Sequence, residues 1–106
     1  MEPPWDEARR LWEKGLYWEV HEVLEPAWLE AEGSERHLIQ GVIQLAAALH
    51  KAKTSKKGAL RLFQKALGHL RQVPGLDAEA FAAEVRRALE EPGYKPAFPL
   101  DQRRAP

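Results

Sequence analysis

The stretch Leu38–Leu49 constrains the fold more than any other part of this 106-residue chain. Placed at about 100° per residue, Leu38, Val42, Leu45 and Leu49 form one apolar row, and Ile39, Ile43 and Ala46 form a second. Only Gln40, Gln44 and Lys51 mark a polar strip, and neutral amides hold most of it. A helix so apolar around its circumference must be packed on most sides, so it predicts a central helix, spanning about 35–52, with others around it. Gly41 within it predicts a close helix crossing.

The flanking patterns supply those partners. Pro3-Pro4 starts a first helix, with Trp5, Ala8 and Trp12 on one stripe and Gly15 as a left-handed cap. A second helix, about 16–32, carries Leu16, Val20, Val23, Ala27 and Ala31 inward. Pro26 within it removes the bond to the Glu22 carbonyl and predicts a kink or restart. Thr54-Ser55 caps a fourth helix, about 56–73, with Ala59, Leu60, Phe63, Ala66, Leu67 and Leu70 facing in. Asp77 caps a fifth, about 78–90, with Phe81, Val85, Ala88 and Leu89 at helical spacing and Arg86–Glu90 and Arg87–Glu91 as exposed pairs. No segment alternates with period two. The expected fold is all-α: a single-domain bundle of about five helices over residues 1–91, mostly up-and-down. Residues 92–106, with four prolines and no period, form an expected extended C-terminal tail that Tyr94 and Phe98 could pin to the body.

Composition narrows the chemistry by exclusion. With no cysteine there is neither disulfide nor thiolate. Ser34, Thr54 and Ser55 are the only hydroxyls besides tyrosine, all in expected breaks or caps, and there is no Gly-x-Ser-x-Gly turn, so a triad hydrolase is not expected. No glycine-rich phosphate loop follows a strand. The Met-Glu-Pro-Pro opening lacks the regions of a signal peptide, and no apolar run is long enough for a bilayer, so the expected location is the cytoplasm, without membrane contact. The absence of asparagine suits a thermophile protein, although a GC-rich genome gives a similar bias.

The 16 acids and 16 bases cancel, but residues 1–36 carry ten acids and four bases, and residues 37–75 carry seven bases and no acid. The expected use of this asymmetry is intramolecular pairing. The sharper alternative is an anion site at Lys53, Lys56, Lys57 and Arg61, where basic residues meet a helix N-terminus. Overall neutrality argues against nucleic acid as a partner.

Reactive side chains concentrate between Tyr17 and Trp28. His21 and Glu25, at i,i+4, lie one turn apart on one helix face and can share a metal ion, with zinc or manganese suiting such a nitrogen–oxygen set. Glu22 is the candidate base for a bound water. His50, on the Ile39–Ile43–Ala46 row, is the candidate third ligand, and His69 a weaker one. Gln40 and Gln44 could orient ligands, and Tyr17 and Trp18 could wall a pocket. The competing structural explanation is that His21 simply bonds Glu25 and His50 is a satisfied core histidine near a helix C-terminus. His-Glu-x-x-Glu lacks the second histidine of zinc peptidases. The alternative function is a non-enzymatic interaction module, a homodimer that uses Trp18 and its flank as the interface.

Two segments together carry a family signature: Gly15-x-Tyr17-x-Glu19-x-His21-Glu22-Val23-Leu24-Glu25-x-x-Trp28, and Leu38-Ile39-Gln40-Gly41-Val42-Ile43-Gln44 continuing through His50. With Gly58-Ala59-x-Arg61-Leu62, they resemble the bacterial family known as domain of unknown function 309, over about residues 8–75. The resemblance implies a small helical protein, and some members carry the label of predicted metal-dependent hydrolase. Pro26 departs from that pattern, since helix formers commonly follow the glutamate.

Overall fold

The computed structural model describes residues 2–104, with side chains described as far as Asp101. Met1 and the last two residues of the expected tail, Ala105 and Pro106, lie outside the described residues. Among these residues the chain is all-helical. α1 spans Trp5–Glu13, α2 Tyr17–Glu30, α3 Gly33–Lys51, α4 Lys56–Leu70, α5 Ala78–Phe81 and α6 Ala83–Glu90, and a closing 3-10 turn spans Pro99–Arg104. The body measures 34 × 28 × 25 Å.

α3 is the central element, packed between α2 and α4. Its residues Ile39, Val42, Leu45, Ala46 and Ala48 are wholly buried, as its two apolar rows require. Gly41 lets α4 approach: a Cβ built there would lie 2.6 Å from Leu70 Cγ and closer still to Leu70 Cδ2. α2 buries Val20, Leu24 and Ala27 against α3, a stripe at i, i+4 and i+7. It runs unbroken through Pro26, whose exposed position leaves the freed Glu22 carbonyl on the solvent side. Gly15 turns the chain from α1 into α2 at φ +76°. The Ser55 hydroxyl accepts from the Gly58 N–H at 2.9 Å and caps α4, and Asp77 caps α5 through the Ala80 N–H.

Three details depart from the periodicity reading. The fifth helix is broken at Ala82, whose φ of −97° and ψ of 3° end α5 before α6 begins. Leu16 and Leu60, placed inward by the wheel, are 40% and 43% exposed. Leu16 precedes α2 and so does not follow its phase, and Leu60 sits at the edge of the apolar face of α4, only partly covered.

The segment after Pro92 is packed, not merely tethered. Phe98 is buried against Trp5 and Trp12, with its ring 5.4 Å from that of Trp12 and nearly perpendicular to it. The Trp12 indole, itself wholly buried, donates to the Pro96 carbonyl at 3.0 Å. Glu84 accepts from the Tyr94 hydroxyl at 2.7 Å and from the Ala97 N–H at 3.0 Å. These two bonds, the backbone one first, hold the Glu84 carboxyl below its usual range, and the hydrogen bond to Glu84 in turn raises the Tyr94 phenol. Arg9 closes the strap on Asp101 at 2.8 Å.

Candidate functional site

The polar strip of α3 faces the flank of α2 that carries His21 and Glu25, and the two walls enclose a cleft of about 260 Å³. Its lining includes His21, Glu25, Trp28, Gln40 and Gln44, with Leu62 of α4 at one side. The antiparallel run of α2 and α3 explains the set, because residues one turn apart on α2 meet residues one turn apart on α3. Trp28 is half-buried there, and the Arg36 guanidinium lies 4.4 Å from its ring centre.

His21 Nε2 and Glu25 Oε2 are 3.5 Å apart, with the side chains 28% and 49% exposed. That is long for a charge-assisted hydrogen bond, which closes to about 2.7–2.9 Å. It is close to the roughly 3.4 Å that separates two donors each about 2.1 Å from one tetrahedral ion. Two side-chain atoms on this cleft, His21 Nδ1 and Gln44 Oε1, are buried without any hydrogen-bond partner. Buried polar atoms are normally satisfied, so these two are exceptions on the residues that line the cleft.

The other expected site residues are distributed differently. His50 is exposed, not part of the buried row. It falls in the last turn of α3, beside the first turn of α2. The Trp18 indole lies against both imidazoles, 4.9 Å from the His21 ring and 5.6 Å from the His50 ring. His50 belongs to a separate recess of about 420 Å³, lined also by Leu16, Tyr17, Trp18, Glu19 and Lys53. The three-ligand set of His21, Glu25 and His50 is therefore not assembled, and among the described residues no three His, Asp or Glu side chains are placed to hold one ion. Glu22 is exposed and is not on the cleft wall. Its side chain points one residue, about 100°, away from that of His21. Tyr17 packs edge-on to Trp12 at 5.3 Å, and burial raises its phenol.

Lys53, Lys56, Lys57 and Arg61 are all exposed around the start of α4. Among the described residues no ion pair joins an acid of residues 1–36 to a base of residues 37–75, so the expected intramolecular pairing does not form. The pairs that form lie elsewhere: Arg9 joins Asp6 and Asp101, Arg87 takes Glu91 as expected, and Arg86 turns to Glu79 at 3.0 Å.

One contact has no local signature. His37 of α3 and His69 of α4 meet with their Nδ1 atoms 3.0 Å apart. They are 32 positions apart in sequence, and only the packing of α3 on α4 joins them.

Residues 5–62 match the model of a family described as a domain of unknown function, DUF309. The chain belongs to this family. The matched DUF309 segment contains α1, α2, α3 and the start of α4, and so both walls of the cleft. The structure is also similar to the crystal structure of a conserved hypothetical protein, TTHA0068, from Thermus thermophilus. The two share 48% identity over 86% of this chain and 100% of that one, with a TM-score of 0.75. No curated protein matches the DUF309 chain. Among the described residues no helix is long and apolar enough to cross a membrane.

Proposed function

We propose that the cleft between α2 and α3 binds a divalent metal ion, with His21 Nε2 and Glu25 Oε2 as its side-chain donors. The observation that carries the reading is the 3.5 Å spacing of those two atoms, which suits a shared ion better than it suits a hydrogen bond. Gln40, on the opposite wall of the cleft, would supply a further oxygen. One nitrogen with oxygens suits zinc or manganese. A divalent ion would supply Lewis-acid activation of water, the chemistry of a metal-dependent hydrolase. Glu22 does not line the cleft, so the arrangement favours metal binding more strongly than it favours hydrolysis. Equilibrium dialysis against zinc or manganese tests the reading. His21→Gln and Glu25→Gln should each lose one bound equivalent relative to the wild type. Unchanged binding in both variants would overturn it.

A second reading, an interaction module, has its own observation. Trp18 is 46% exposed beside the exposed Leu16. Large aromatic side chains half out of the core are common anchors of interfaces. A homodimer through this flank should appear in light scattering and be lost in Trp18→Ala. A monomeric wild type would remove this reading and leave the metal reading standing.

A further inference from the structure

We propose that His37 and His69 form a second transition-metal site, which clamps α3 to α4. It is independent of the cleft between α2 and α3. The two rings come from different helices, and their Nδ1 atoms lie 3.0 Å apart with the ring centres 5.3 Å apart. In neutral imidazoles one of these nitrogens must carry a hydrogen and the other a lone pair, since two lone pairs or two hydrogens at this distance repel. The same separation fits two donors bound to one ion. Nitrogens about 2.1 Å from a metal at angles between square and tetrahedral lie about 3.0–3.4 Å apart. Binding then needs only a change of tautomer, in which the shared hydrogen moves to Nε2 and both Nδ1 lone pairs become free. No proton leaves at neutral pH.

Two features of the surroundings make the pair accessible. His37 and His69 both line a recess of about 300 Å³ with Lys65, Gly68 and Gln72, so an ion can approach from solvent. Gly68 places no side chain over the recess, and a Cβ there would meet nothing within 4 Å. Lys65, the cation on the recess wall, opposes a metal and limits the class of ion. An all-imidazole pair beside an ammonium selects the strong nitrogen binders of the first row, zinc, nickel and copper, over the oxygen-preferring magnesium and calcium. Gln72 can add an amide oxygen, and water fills the remaining positions.

Zinc titration of the full chain, followed by nitrogen-15 resonances of the histidine rings, reads each site separately. His37 and His69 should shift together with one midpoint, with their Nδ1 signals moving most. His69→Gln should weaken the His37 response at least about tenfold, and His37→Gln should do the same to His69. In both variants the His21 response should stay at its wild-type midpoint. A His37 response unchanged in His69→Gln, or no movement of either ring up to millimolar zinc, would overturn the proposal. The response of His21 reports on the other site alone, so the two readings fail separately.

Discussion

Replacing Gly41 and Gly68 by alanine tests the α3–α4 packing that brings His37 and His69 together. Both glycines lie within helices, Gly41 in α3 and Gly68 in α4. On propensity alone each substitution should stabilise its helix by about 1 kcal/mol. At Gly68 nothing opposes that gain, because the new Cβ meets no atom within 4 Å. We expect Gly68→Ala to add about 0.5–1 kcal/mol. At Gly41 the Cβ would lie 2.6 Å from Leu70 Cγ, and Leu70 is wholly buried. The helices must separate or Leu70 must leave its rotamer, at about 1–3 kcal/mol for overpacking, with this backbone approach at the upper end. After the propensity gain, Gly41→Ala should be destabilised by about 1–2 kcal/mol. At about 4–8 °C per kcal/mol for a domain near this size, its Tm should fall by roughly 5–15 °C. Urea unfolding followed by circular dichroism measures both variants against the wild type. Equal stabilisation of the two would refute the reasoning, because it would mean that α3 and α4 do not cross closely at residue 41.

Other predictions concern the C-terminal strap. Phe98→Ala removes a ring that is 1% exposed and wedged against Trp5 and Trp12, so unfolding free energy should fall by about 3–5 kcal/mol; a loss under about 1 kcal/mol would mean that the strap is not part of the core. Glu84→Gln keeps the shape but removes the charge, and should cost about 1 kcal/mol at neutral pH once solvent screening is allowed for. The folded Glu84 carboxyl lies below its ordinary value of 4.5, so its stabilisation is complete above that value and is lost as pH falls through the folded pKa. Stability measured against pH should therefore fall less steeply on the acid side in Glu84→Gln than in the wild type; identical acid limbs would contradict this.

What was legible in the sequence follows from what a single helix pattern encodes. The apolar rows of Leu38–Leu49 required a central helix, and Gly41 pointed to a close crossing, because both are properties of one helix surface. His50 shows where that logic ends. The wheel gives the face of a residue but not how much of that face the neighbouring helices cover, and at the last turn of α3 they leave His50 exposed. His21 and Glu25 were readable as a pair because a helix brings i and i+4 together by itself. The His37–His69 contact was not, since it exists only once α3 and α4 have packed. Ala82 breaks a helix without glycine or proline, so nothing in the residue type announced it. Phe98 and Pro96 pack through a non-repeating strap, where a lone apolar residue among prolines has no period to reveal its burial.

The metal reading of the cleft is tested most directly by crystals grown with zinc and measured on both sides of the zinc absorption edge. The account predicts an anomalous peak between α2 and α3, about 2.1 Å from both His21 Nε2 and Glu25 Oε2. A cleft without such a peak, in crystals that show ordered zinc elsewhere on the molecule, would contradict it.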